Sequence, residues 1–272
     1  MSDRHLVALD VDGTIVDYDD RMSERVRETV RAVEAAGHHV VVSTGRSIRG
    51  ALEVANRLGL ETGYVVASNG AVIARLDPSA ETGWEVVHTE TFDPRPALER
   101  MHAAMPTGIL LVEDENLVRH STAEFPDGDL NGDAPLTIVP FADLLDLRAI
   151  RIVLRELSAT SEEFAAAVED SGLHGVTYSV GWSNWLDISP EGVSKASALR
   201  IVAENLRVAP EHTVAAGDGT NDHEMLDWAH HAIVMGQAKD ETKAFATLVT
   251  APVHEDGLAL ALEDHFGVRP LA

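Results

Sequence analysis

Leu6-Val7-Ala8-Leu9-Asp10-Val11-Asp12-Gly13-Thr14 is the stretch on which the reading of this chain turns. Four apolar residues in a row read as a buried strand. Asp10 and Asp12 stand two residues apart, so at a strand end both side chains point to the same side of the sheet. Gly13 and Thr14 then turn the chain and leave both acids at an exposed mouth. Such a pair can divide phosphoryl transfer, one acid attacking and the other shuttling a proton. Short Asp-rich turns also occur in calcium loops and in plain solvated loops, so the rest of the chain must decide.

The same arrangement recurs. Ser43-Thr44-Gly45-Arg46 follows the apolar run Val40-Val41-Val42, and Gly217-Asp218-Gly219-Thr220-Asn221-Asp222 follows Val214-Ala215-Ala216. Lys195 opens a helical pattern over 194–206. Around these motifs strands and helices alternate. A helix is predicted over 24–36, with Val26, Val30 and Val33 on one face, Ser23 as N-cap and Gly37 as the stop. A second helix over 47–58 ends at Gly59. A strand at 64–67 leads into Ser68-Asn69-Gly70-Ala71. Towards the end come strand 213–216, helix 222–230, strands 232–235 and 247–250, and helix 257–266. This alternation predicts an α/β fold, a doubly wound parallel sheet with both faces covered. Ligands of such sheets bind beyond the carboxyl ends of the strands, where every motif above falls.

The middle of the chain differs. Candidate strands at 84–89, 108–113, 117–120, 149–154 and 177–180, with helices at 96–104 and 161–171, carry no strand-end acid motif. An acidic loop is punctuated by Pro126-Asp127-Gly128 and Asn131-Gly132-Asp133, and Trp182 and Trp185 lie where this segment rejoins the rest. The expected division is a core of residues 1–83 and 187–272 with an inserted α+β domain at 84–186.

Composition sets the outer bounds. A chain of 272 residues with 45% hydrophobic content can build one large or two moderate domains. With 45 acidic against 21 basic residues the net charge is −24, a surface that repels nucleic acid and anionic membranes. No nucleic-acid or membrane partner is expected, and no apolar stretch has the length of a membrane span. The absence of cysteine excludes disulfides and thiolate metal sites and fits a reducing cytoplasm. No secretory signal is read at the N-terminus. Thirteen histidines form no helical ligand pair with a nearby acid, so histidine metal binding is not expected.

With acid pair, hydroxyl, lysine and second acid pair in this order, the chain resembles the haloacid dehalogenase (HAD) superfamily, most closely its Cof-type branch. That resemblance implies a Rossmann-like core with a large α+β cap between the second and third motifs. It implies a phosphoric monoester hydrolase with Asp10 as nucleophile and Asp12 as acid and base. Thr44 and Lys195 would hold the phosphoryl group and offset its charge. One Mg²⁺ would be held by Asp10, Asp218 and the Asp12 carbonyl, supported by Asn221 and Asp222. Asp222 can instead cap the following helix or pair with Lys195. Gly13, Gly45, Arg46, Asn69 and Asn221 are further candidates for phosphate or substrate contact, with an ion pair as the alternative for Arg46 and an Asx-turn for Asn69. The expected substrate is a small phosphorylated metabolite, sugar phosphates foremost, acted on by a cytoplasmic monomer or homodimer. Two other functions compete: a phosphosugar mutase, which would need a cap rich in basic residues, and a non-catalytic phosphometabolite sensor, which would lack a catalytic group.

Overall fold

Strand β1 (Leu6–Leu9) has no solvent exposure and lies inside an eight-stranded sheet. The structure is a computed structural model that describes residues 4–126, 129–130, 135–180 and 184–270. Residues 127–128 and 131–133 of the acidic loop, and Trp182, lie outside the described residues.

After β1 come α1 (Glu24–Ala35), β2 (His39–Ser43), α2 (Ile48–Leu58), β3 (Gly63–Ala67), β4 (Val72–Leu76) and β5 (Trp84–Thr89). The next stretch contains α3 (Arg95–Ala104), β6 (Ile109–Asp114), β7 (Arg119–Ser121), β8 (Leu136–Ile138), α4 (Phe141–Leu144), β9 (Ala149–Arg155), α5 (Ser161–Asp170), β10 (Val176–Val180) and β11 (Trp185–Pro190). The chain finishes with α6 (Lys195–Leu206), β12 (Thr213–Gly217), α7 (His223–Trp228), β13 (His231–Val234), α8 (Asp240–Lys243), β14 (Leu248–Val249) and α9 (Gly257–Phe266). Two compact units result, residues 1–87 with 194–272, and residues 88–193. No helix among the described residues is long and apolar enough to cross a membrane.

The sheet of the first unit runs β14-β13-β12-β1-β2-β3-β4-β5. From β14 to β3 all neighbours are parallel, and β4 returns antiparallel to β3. Leu6, Ala8, Val41 and Val66 pack with Leu199 and Val202 of α6 and Met225 and Leu226 of α7. Val7 and Leu9 point the other way and are equally buried, as strands covered on both faces require. The fold is the doubly wound α/β sheet expected.

Local chemistry sets the helix ends. Ser23 accepts from the Val26 N–H and Ser47 from the Gly50 N–H, filling orphan donors of α1 and α2. Gly59 closes α2 in the left-handed conformation. The 84–89 strand, allotted to the insert by sequence, hydrogen-bonds as the edge strand of the core sheet. Alternating apolar residues identify a strand, but not the sheet it joins.

The second unit holds a six-stranded sheet ordered β10-β11-β9-β6-β7-β8. Leu110, Val112, Ile152, Leu154, Leu186 and Ile188 meet Leu98 and Met101 of α3 and Phe164 and Val168 of α5 in one core. The alternate residues include the buried Arg151, with Nε 3.4 Å from Glu113 and Nη1 3.7 Å from Asp187.

At the amino ends of the core strands, imidazoles gather. The His5 ring lies 5.2 Å from His38, 4.9 Å from His212 and 5.9 Å from His265, and His231 stacks on His265 at 4.3 Å. Desolvation against these neighbours, then repulsion from His231, His5 and His38, pushes His265 down from 6.5 to about 4. His38, His39 and His231 are lowered too, first by burial. A histidine depressed on folding binds fewer protons folded than unfolded. Its stabilisation is therefore complete above pH 6.5 and is lost as pH falls towards 4. The slope of melting temperature against pH between 6.5 and 4.5 is expected to be shallower in His265→Asn than in the parent. Parallel slopes in a thermal-melt series would contradict this.

Candidate active site

Each core motif begins where a strand stops. Asp10 follows β1, its N–H donating to the Ala216 carbonyl at 2.9 Å, and Thr44 follows β2, its N–H donating to the Val66 carbonyl at 2.9 Å. Asp218 follows β12. The parallel sheet thus delivers three distant loops to one edge.

Lys195 is the first residue of α6 and has no solvent exposure. Its Nζ donates to Asp10 Oδ1 and Asp222 Oδ1, each at 2.6 Å. Burial alone would lower the ammonium, but the two carboxylates outweigh it and hold the group above its ordinary value. A lysine at a helix start faces the positive end of the dipole; the buried acids supply the compensation. The turn at 68–70 crosses directly over this start. Gly70 has φ +106°, and a Cβ there would come within 2.1 Å of the Ser194 carbonyl oxygen, so only glycine allows the crossing.

Asp222 is engaged at both oxygens. While Oδ1 meets Lys195, Oδ2 accepts from the backbone N–H groups of Asp218 at 3.0 Å and Gly219 at 2.9 Å. Pairing with Lys195, one of the roles open to Asp222 on sequence, is present, and the Asp222 side chain makes no cap bond to α7. Asp10, Asp218 and Asp222 each offer a carboxylate oxygen within 4.8 Å of the others. The donor set is all hard oxygen and suits Mg²⁺. Burial, and next the Asp222 charge, raise Asp10 well above the ordinary carboxylate value despite the opposing Lys195. Burial likewise pushes Asp218 up to about 6, against the hydrogen bond from Tyr18.

Asp12 sits differently, with its side chain 52% exposed and held by Arg46 through Nη2–Oδ1 at 2.6 Å and Nε–Oδ2 at 3.1 Å. Arg46 Nη2 also reaches Asp20 at 2.7 Å, and Arg57 Nη1 meets Asp20 at 2.9 Å. The ion pair, one of two readings for Arg46, is therefore present. Thr44 is buried, its hydroxyl accepting from the Arg46 N–H at 3.1 Å and its carbonyl accepting from the Asn69 N–H at 3.0 Å. Asn69 has φ +51°, and its Oδ1 accepts from Asn221 Nδ2 at 3.0 Å. Gly45 packs against that Asn69 amide. The 44–46, 68–70 and 218–222 loops are thus joined through Asn69.

Tyr18 and Gln237 were not anticipated. Tyr18 donates to Asp218 Oδ2 at 2.5 Å, and Gln237 Nε2 reaches the Gly13 carbonyl at 2.6 Å and Asp218 Oδ2 at 3.3 Å. Neither belongs to a strand-end motif, and only long-range folding brings them here.

The chain matches the haloacid dehalogenase-like hydrolase family over residues 7–262 and belongs to that family. It is an enzyme of the family's phosphatase type. Among curated relatives it is 28% identical over 281 residues to the 5-amino-6-(5-phospho-D-ribitylamino)uracil phosphatase YitU of Bacillus subtilis, spanning 97% of this chain and 98% of the relative. It is 27% identical over 263 residues to a phosphoglycolate phosphatase of Methanothermobacter thermautotrophicus, spanning 96% and 98%. A solved sugar phosphatase of HAD subclass IIB shares the fold, with a TM-score of 0.79, 22% identity, and 97% and 99% of the two chains covered.

Removing the Lys195 ammonium leaves two buried carboxylates facing each other. Lys195→Met is expected to destabilise the chelator-treated protein by about 3–5 kcal/mol, as for other broken buried pairs. Equilibrium urea unfolding measures it, and a loss under about 1 kcal/mol would show that the pair contributes little.

Proposed function

We propose that this enzyme hydrolyses small phosphorylated metabolites, sugar phosphates foremost, in a Mg²⁺-dependent reaction through an aspartyl-phosphate on Asp10. The observation that carries this reading is the buried Lys195 ammonium, 2.6 Å from Asp10 and from Asp222, beside the Asp218 carboxylate.

In this reading Asp10 attacks phosphorus and the bond to the leaving oxygen breaks. Asp12 gives that oxygen its proton. Asp12 then takes a proton from water, whose oxygen attacks the aspartyl-phosphate, and inorganic phosphate and the free Asp10 carboxylate are regenerated. The half-exposed position of Asp12 suits a group that meets substrate and water in turn. Thr44 and Lys195 hold the phosphoryl oxygens, and Lys195 offsets the repulsion between Asp10 and the incoming anion. Asp10, Asp218 and the Asp12 carbonyl would hold Mg²⁺, with Asn221 and Asp222 behind them. When bound, the ion supplies charge neutralisation to the phosphoryl group. Gly13, Gly45, Arg46, Asn69 and Asn221 complete the proposed phosphate and substrate contacts.

The inserted unit is assigned the choice of substrate. The relatives support a small one: the names of YitU and of the archaeal enzyme specify a phosphorylated ribityl compound and phosphoglycolate. A mutase is less well supported. In the insert Arg95 pairs with Asp146, Arg151 lies beside Glu113 and Asp187, and Arg155 pairs with Asp129, so these cations are already matched by acids.

Asp10→Asn is expected to cut phosphate release from a panel of sugar phosphates, nucleotides and phosphorylated cofactors by on the order of 10³-fold or more. Substantial turnover by that variant would remove the nucleophile assignment. Chelation should abolish release by the parent protein, and full activity in excess EDTA would contradict the metal role.

Metal affinity should also follow pH. A cation binds the ionised carboxylate, and Asp218 ionises at about 6 in the metal-free protein. Affinity for Mg²⁺ should weaken about tenfold from this group alone between pH 7.5 and 5. Calorimetric titration of the substrate-free protein checks this, and an affinity independent of pH over that range would argue against Asp218 as a ligand.

A further inference from the structure

We propose that Tyr18 and Gln237 are positioning residues for the metal ligand Asp218, clamping its Oδ2 so that Oδ1 is left to the cation. The inference rests on the Mg²⁺ reading above and extends it to two side chains outside the four motifs.

Three features carry it. First, both side-chain donors to the Asp218 carboxylate arrive at the same oxygen: Tyr18 Oη at 2.5 Å and Gln237 Nε2 at 3.3 Å, both on Oδ2. Among the described residues no hydrogen bond reaches Oδ1. Second, Gln237 is locked at both ends of its amide. Its Nε2 donates to the Gly13 carbonyl at 2.6 Å, and its Oε1 accepts from the Val253 N–H at 2.9 Å. The orientation of that donor is thus dictated by two loops and is not free to adapt. Third, the space for the clamp is provided by Gly13. At its φ of +82°, a Cβ would lie 2.2 Å from Asp218 Oδ2, 2.7 Å from Asp218 Cγ and 2.9 Å from Tyr18 Oη. The glycine of the first motif therefore admits the ligand and its clamp together.

Tyr18 is 57% exposed, so apolar burial does not explain where its hydroxyl sits. The hydrogen bond to Asp218 does. For the same reason the core does not depend on the phenol, and a change of metal affinity on removing it cannot be attributed to lost packing. Residues that orient a metal ligand typically contribute 10–100-fold in affinity.

The test is Mg²⁺ binding to the substrate-free protein by calorimetry, comparing the parent with Tyr18→Phe and Gln237→Met. Tyr18→Phe keeps the ring and removes the donor. Gln237→Met keeps the length and removes the donor without adding a charge. Both should retain the parent circular dichroism in chelator and bind Mg²⁺ about tenfold or more weakly. Phosphatase activity of Tyr18→Phe, lowered at limiting Mg²⁺, should return to the parent kcat at saturating Mg²⁺. Unchanged Mg²⁺ affinity in both folded variants would overturn the clamp. A parent protein that binds no Mg²⁺ would instead overturn the metal reading itself, and the two failures are told apart by that first titration.

Discussion

One ammonium group, Lys195 Nζ, organises the carboxyl edge of the core sheet. It stands between two buried carboxylates, Asp10 and Asp222, and each interaction is 2.6 Å long. Three buried charges in contact are costly to desolvate, so the arrangement persists only because each partner has further support. Asp222 has two backbone N–H groups on its other oxygen. Ser194 caps the helix that carries the lysine, accepting from the Ser197 N–H and donating to Glu224. The lysine thereby ties α6 to the loop after β1 and to the loop after β12.

From that centre the rest of the edge follows by successive hydrogen bonds. Asp222 fixes the backbone of Asp218. Asp218 is held in turn by Tyr18 and Gln237, and Gln237 reaches back to Gly13 in the first motif. On the other side, Asn221 meets Asn69, whose N–H donates to the Thr44 carbonyl, and Arg46 extends to Asp12 and Asp20. Four loops far apart in sequence are joined by hydrogen bonds and ion pairs among their functional groups. Networks of this kind are preorganised, which is what charge stabilisation during phosphoryl transfer demands. They also explain the separation of the two acids of the first motif. Asp10 is buried and committed to Lys195, while Asp12, two residues on, is half exposed and paired with Arg46, whose head group is itself held by Asp20. Their environments differ, which suits the separate roles proposed for them.

The opposite edge of the same sheet has another character. Histidines preceding β1, β2 and β12 and opening β13 meet the end of α9, and burial, followed by repulsion between the rings, lowers His38, His231 and His265. One end of the sheet concentrates carboxylates and the other imidazoles. At the acid edge Lys195 pairs with Asp10 and Asp222, while Arg46 and Arg57 pair with Asp12 and Asp20.

Much of this was legible in the sequence. Unbroken apolar runs before Asp10, Thr44 and Asp218 specified buried parallel strands, and strand ends put the acids on one edge because side chains alternate and parallel strands share a direction. Ser23, Ser47 and Gly59 marked helix ends through local hydrogen bonding, which needs no distant partner. The tertiary structure decided what depends on distant pairing. It drew Trp84–Thr89 into the core sheet, chose Lys195 as the partner of Asp222, and set Arg46 on Asp12 and Asp20. It alone brought Tyr18 and Gln237 to Asp218, from 200 and 19 residues away. Periodicity and capping are local properties of the chain, whereas a hydrogen bond between loops exists only once the sheet has placed their ends together.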